Sequence, residues 1–258
     1  MLAAMDFTYS IAGFSVGLIV GLTGVGGGSL MTPLLVLLFG IKPTIAVGTD
    51  LLYAALTKAG GTITHARLGH VDWPMVRRLA FGSIPASLTT IALLAYLPID
   101  QQVLSSTISQ ALAVALTLTA GALVFGKRLR KAAEAIPPQP SPTRRTVTVG
   151  AVLGVLVTVS SVGAGAIGVV AIGMLYPKLS AHRIVGSDIA HAVPLTLVAG
   201  LGHGAMGHVD VPLLLSLLAG SLPGIWLGSR ASRRVPEQVL RRMLAVLLLL
   251  VGAKLAVV

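Results

Sequence analysis

Residues 103–125 run for twenty-three positions without a charged side chain. Crossing the hydrocarbon core of a bilayer takes about 20 mostly apolar residues, and this run is one of eight. We label them A (7–40), B (43–66), C (73–97, with Pro85 as an interruption) and D (103–125), then A′ (147–176), B′ (181–206), C′ (211–229) and D′ (239–258). Mean hydropathy is +0.91 and only 10% of residues are charged, so the runs dominate the chain. They are continuous rather than alternating, which excludes a transmembrane β-barrel. The expected fold class is an all-α polytopic membrane protein.

The formal net charge of +11 comes from nineteen Lys and Arg gathered at the ends of the runs. That placement fits topology control and contact with anionic lipid, and no soluble basic domain exists to bind nucleic acid. Cysteine is absent, which excludes disulfides, thiolate ligands and iron–sulfur clusters. Six histidines without a carboxylate cluster give no metal signal, and no cofactor motif is found. The first six residues lack the basic region of a signal peptide, so run A is expected to be retained.

The second half repeats the first. Val47-Gly48-Thr49-Asp50 aligns with Val185-Gly186-Ser187-Asp188 at an offset of 138. The same offset pairs His65 with His203, Gly69-His70-Val71-Asp72 with Gly207-His208-Val209-Asp210, and Gly82-Ser83-Ile84-Pro85 with Gly220-Ser221-Leu222-Pro223. One offset held across so many uncommon residues indicates internal duplication. The expected division is residues 1–126, a cytoplasmic linker 127–145 that is basic and then proline-rich, and residues 146–258.

Loop charge gives the orientation. The B–C connection carries Arg67, Arg77 and Arg78, whereas C–D has no base; in the second half C′–D′ is arginine-rich and B′–C′ is bare. Basic loops stay cytoplasmic, so equivalent loops are expected on opposite faces and the repeats to be inverted. Inversion needs an odd number of crossings per half. A broken run A that crosses twice, or enters and returns, would allow it; a parallel repeat of four spans per half is the alternative.

Run A is broken at Thr23–Ser29, inside the stretch 21–30, half of which is glycine. Glycine weakens a helix and frees the backbone to turn. Backbone groups freed inside a bilayer must be met by protein, water or solute. No Lys follows Gly28, so the stretch is not a phosphate-cradling loop, and a dinucleotide fingerprint would need a βαβ unit. Broken helices at matching places in two halves point to a transporter's central site, where open amides can take an anion. The candidate substrate-binding residues are therefore Thr23, Gly24, Gly26, Gly27, Gly28 and Ser29, with Ser161, Gly163 and Gly165 in the second copy. Close helix packing is the competing explanation for the glycines.

Two of the eight acidic residues, Asp50 and Asp188, lie inside runs at equivalent positions. An ionisable group at membrane depth faces a cavity or a partner; otherwise each is a first-turn residue favouring the helix dipole. Lys58 lies in run B, able to pair with an acid such as Asp50 or to receive an anion. His65, His191 and His203 share the faces of Asp50 and Asp188, and with them form the candidate proton-coupling or gating set, since imidazole titrates near neutrality.

Gly24-Val25-Gly26-Gly27-Gly28-Ser29, Ala46-Val47-Gly48-Thr49 and His65-Ala66-Arg67-Leu68-Gly69-His70-Val71-Asp72-Trp73 together resemble the TauE/SafE family, the sulfite or organosulfonate exporter-like permeases, over almost the whole chain. The resemblance implies a small permease for sulfur-containing or other organic anions in the cytoplasmic membrane. The position after Gly48-Thr49 is commonly serine in that family; Asp50 and Asp188 stand there here, and such a carboxylate suits a coupling proton. The expected function is secondary transport of sulfite or an organosulfonate by alternating access. The alternatives are a passive anion channel and transport of another small organic anion. A membrane enzyme would need a catalytic cluster, and the sequence offers none. Expected partners are a small anionic substrate and membrane lipid; a homo-oligomer is left open.

Overall fold

The structure, a computed structural model, describes residues 7–23, 28–97, 100–135, 143–231 and 237–257. These form ten α-helices: α1 (Phe7–Thr23), α2 (Gly28–Phe39), α3 (Pro43–Arg67), α4 (Trp73–Tyr96), α5 (Gln101–Glu134), α6 (Thr143–Ser160), α7 (Ala166–Leu175), α8 (Ala181–Ala205), α9 (Val211–Ala231) and α10 (Glu237–Val257). The chain is an all-α polytopic membrane protein. By length and composition, α4, α5, α8 and α9 can each cross a bilayer.

Runs A and A′ each resolve into two helices, α1 with α2 and α6 with α7. The 12 residues of α2 and the 10 of α7 extend about 18 and 15 Å at 1.5 Å per residue, roughly half the hydrocarbon thickness. Helix α4 runs unbroken through Pro85, where the sequence suggested an interruption, as α9 does through Pro223. Helix α5 also departs from expectation. It continues nine residues past Phe125, through a basic segment expected to be exposed linker. Lys, Arg, Ala and Glu are strong helix formers. Arg130 also ties the extension down, pairing with Glu134 at 3.4 Å and donating to the carbonyl oxygens of Pro177 (3.0 Å) and Leu179 (2.7 Å).

Glycine sets how the helices approach. Gly13, Gly17 and Gly21 of α1 lie against the backbone of Leu217, Ser221 and Ile225 in α9, and Gly220, Gly224 and Gly228 of α9 lie against Ser10, Phe14 and Leu18. A Cβ at any of these six would collide with a carbonyl oxygen. Helices α6 and α4 repeat the arrangement, with Gly150 on Leu79, Gly154 on Ser83 and Gly82 on Val147. In lipid, helix association rests on such close backbone packing because the tails are as apolar as the side chains. The first helix after each half begins thus lies along the fourth helix of the other, so the halves interleave. Between them sits a core that includes Met31, Leu35, Tyr53, Leu112, Leu116, Leu217 and Leu248.

Candidate functional site

The site is organised by the crossing of α3 and α8. Gly48, near the start of α3, lies against His203 at the end of α8 and His208 just past it. Gly200 meets Leu52, Gly61 faces Ile189 at 3.6 Å, and Gly186, near the start of α8, lies against His65 and His70. As α3 is followed forward, its contacts on α8 run backward, so the two helices are antiparallel.

Both ends of the crossing are tied by the same bond. Thr49 Oγ1 accepts from the Asp210 backbone N–H at 3.1 Å, and Ser187 Oγ accepts from the Asp72 N–H at 2.8 Å. The two aspartates in turn cap the next helices: Asp72 Oδ1 accepts from Met75 N–H at 3.1 Å and Asp210 Oδ1 from Leu213 N–H at 2.9 Å. A carboxylate there satisfies one of the orphan donors of a helix start.

One residue further into each helix lie Asp50 and Asp188, both buried. Asp50 Oδ2 accepts from Thr32 Oγ1 of α2 and from Ser161 Oγ at 3.0 Å. Ser161 opens the break between α6 and α7. Its φ is 58°, and those of Gly163 and Gly165 are 125° and 136°, so the backbone leaves the helical region three times in five residues. At Ser161 this is an uncommon conformation for a residue with a Cβ. Lys58, two turns beyond Asp50 on α3, is buried and donates from Nζ to the Ala164 carbonyl oxygen at 2.9 Å. Helix α3 therefore reaches the same break twice, with a carboxylate and an ammonium.

Asp188 meets the first turn of α7, where a Cβ at Gly168 would strike its Oδ1. Lys58 interacts electrostatically with Asp188 and, more weakly, with Asp50. Ion pairs closer than 4 Å among the described residues are Arg130–Glu134 and Arg183–Asp72, so Lys58 contacts neither carboxylate directly. One oxygen of each carboxylate, Oδ1, is buried without a hydrogen-bond partner. Lys58, Asp50 and Asp188 thus gather where helix gives way to open backbone, and an ammonium and carboxyl groups so placed can take up and release protons.

The sequence candidates separate in space. Asp50, Lys58, Ser161, Gly163 and Gly165 meet at the α6–α7 break, and Asp188 joins them through α7. His191, one turn after Asp188, bonds through Nε2 to Ser83 Oγ at 2.8 Å. His65 and His203 lie at opposite ends of the crossing. His65 is fifteen residues past Asp50 on α3, about 22 Å along the axis, with its ring 5.6 Å from that of His70. His203 donates from Nε2 to the Thr158 carbonyl at 3.0 Å. Gly24, Gly26 and Gly27 lie outside the described residues; Thr23 ends α1, and Gly28 and Ser29 begin α2. Among the described residues no group of three or more His, Asp or Glu is placed to hold a metal.

Sequence reasoning missed Thr32, Ser83, Ser87 and Thr158. Thr158 Oγ1 bonds Ser87 Oγ at 2.8 Å, close to the carbonyl that takes His203. Ser83 had a signal, since it belongs to the repeated Gly-Ser-x-Pro motif. Thr32 had only its place in a half-helix whose other hydroxyl, Ser29, was already a candidate.

Ten helices, two of them half-length, around a buried lysine and two carboxylates describe a polytopic membrane protein with a polar centre. The chain belongs to the sulfite exporter TauE/SafE family, which it matches over residues 9–255. It is 38% identical to the probable membrane transporter protein YjnA of Bacillus subtilis across 97% of this chain and 100% of that protein. It is also 27% identical to the probable membrane transporter protein YdhB of Bacillus subtilis, across 88% and 91%. A probable membrane transporter protein of Methanocaldococcus jannaschii is 24% identical across 94% and 92%. No solved structure matches. The protein is a multi-pass membrane transporter, which points away from an enzyme.

Proposed function

We propose that the chain is a secondary transporter for a small sulfur-containing anion, sulfite or an organosulfonate, driven by protons and working by alternating access. The observation that carries this reading is the meeting of Lys58, Asp50 and Asp188 at the α6–α7 break. Lys58 supplies positive charge at membrane depth, and the break and the start of α7 supply polar backbone with a dipole that favours an anion. Ser161, Gly163 and Gly165 bind in this half; Thr23, Gly24, Gly26, Gly27, Gly28 and Ser29 do so in the other. Asp50 and Asp188 carry protons, and His191 orients the site through Ser83. His65 and His203 serve as gates at the two ends of the α3–α8 crossing.

The two halves, 1–126 and 146–258, act as repeats of inverted topology. The antiparallel run of α3 against α8 supports that reading, because inversion turns equivalent helices to opposite directions. Rocking one repeat against the other about that crossing would open the site to each side in turn.

Proteoliposomes loaded with labelled sulfite, taurine or sulfoacetate and given an imposed pH gradient test the reading. The expected result is saturable movement of at least one of them against its own gradient. Asp50→Asn should retain exchange down a gradient and lose uphill movement. Transport of an uncharged solute with no movement of any sulfur anion would overturn the substrate assignment. Flux that never saturates and cannot be driven uphill would favour a passive channel.

A further inference from the structure

The two half-length helices are seated differently. Helix α7 packs on α5: Val170 lies against Gly126, and Gly173 faces the Arg130 side chain at 3.7 Å. By the order of helices in each half, the matching pair is α2 on α10. There the two are held apart by a cavity of about 320 Å³, which α1 closes at the back. Its walls include Val16 of α1, Leu34 and Leu37 of α2, and Leu250 and Val251 of α10. Leu38 and Leu250 at its margin are 74% and 66% exposed, so the cavity opens on the outer surface of the bundle. It has one charged residue, Lys254, in the last turn of α10.

We propose that this cavity is a binding site for an anionic phospholipid, one acyl chain lying between α2 and α10 and the headgroup phosphate on Lys254. The outer surface of a membrane protein meets lipid, so the available occupant is an acyl chain. The apolar walls accept methylenes and nothing polar. A lysine in the last turn of a membrane helix extends toward the headgroup layer, where it attracts negative lipid. The lipid would thus fill, beside α2, the place that side-chain packing fills beside α7. A half-helix lining the central site would be seated on a component of the bilayer.

The test is native mass spectrometry of the purified full chain after exposure to equimolar phosphatidylglycerol and phosphatidylcholine of the same acyl composition. It reads binding and does not depend on whether the chain moves sulfite. One basic side chain near a headgroup predicts that phosphatidylglycerol adducts exceed phosphatidylcholine adducts about fivefold. Lys254→Gln, an exposed position, should bring the two to parity while retaining bound lipid. Leu250→Trp, which fills the mouth, should lose both. Parity in the unmodified chain would overturn the proposal, as would a preference unchanged by Lys254→Gln or lipid retention unchanged by Leu250→Trp. A dimer mass without lipid would also overturn it, placing a second copy over the cavity.

Discussion

The two ends of the α3–α8 crossing are built from the same parts, yet one has more than the other. At the first, Thr49 accepts from Asp210, Gly48 lies against His208, and the His203 and His208 rings are 5.6 Å apart. At the second, Ser187 accepts from Asp72, Gly186 lies against His70, and the His65 and His70 rings are also 5.6 Å apart. Only the second adds an ion pair, Arg183 to Asp72 at 3.1 Å, and a stack of His182 on His70 with centroids 5.3 Å apart. At the positions 138 residues earlier stand Ile45 and Thr44, which can make neither. The hydrogen bonds and close glycine approaches common to both ends involve backbone and hold the crossing together. The ion pair and the ring stack found at one end join side chain to side chain and bias that end.

The largest effects should fall on both ends alike. A Cβ at Gly48 would enter the His208 carbonyl, and one at Gly186 the His70 carbonyl; neither backbone can step aside cheaply. Gly48→Ala and Gly186→Ala should each cost about 1–3 kcal/mol or more, seen as matched losses of thermal stability in detergent. Tolerance of one and not the other would break the equivalence of the two ends. Next come the hydroxyls. Thr49→Val and Ser187→Ala each leave a backbone N–H without its acceptor and should cost about 1 kcal/mol, again in parallel.

A smaller effect should appear with pH. Burial holds the His208 imidazole below its ordinary range. The imidazole is then mostly neutral at pH 7.5 in the folded and in the unfolded chain alike. As pH falls through about 6.5 the unfolded chain takes the proton more readily. The contribution of His208 is therefore full above that value and declines below it. His208→Gln should lessen the fall in melting temperature between pH 7.5 and 5.5, and an unchanged fall would remove His208 from the effect. The smallest change is expected from Arg183→Ala. Its pair is partly exposed, worth about 0–1 kcal/mol and screened by salt. The loss should be measurable at low ionic strength, vanish at high salt, and leave the Thr49 end untouched.

Much of this was legible in the chain. The offset of 138 rests on Gly48-Thr49-Asp50 and Gly186-Ser187-Asp188, and the glycines and hydroxyls among them make the reciprocal contacts. The residues that recur at this offset include those that meet across the crossing, so the pattern was visible where packing is most demanding. The four-residue spacing of Gly13, Gly17 and Gly21 and of Gly220, Gly224 and Gly228 was equally present, but it is sparser than the cluster at 24–28 and marks no break in its helix. Hydrogen-bond partners were not legible. Thr32 and Ser161 approach Asp50 from 18 and 111 residues away, and nothing local in an apolar helix marks one hydroxyl over another. Lys58 bonding a carbonyl rather than an acid was hidden for the same reason, because Ala164 is 106 residues distant.

The absence of native cysteine allows the central claim to be tested with single reporters. Val71 and Val209 are equivalent residues in the turns at the two ends of the crossing. Val71→Cys and Val209→Cys, placed separately in proteoliposomes, can be labelled with a membrane-impermeant maleimide with and without sulfoacetate, which does not consume the reagent, under a pH gradient. Alternating access requires that sulfoacetate raise labelling at one position while lowering it at the other. Labelling that rises at both, or at neither while sulfoacetate is moving, would contradict it.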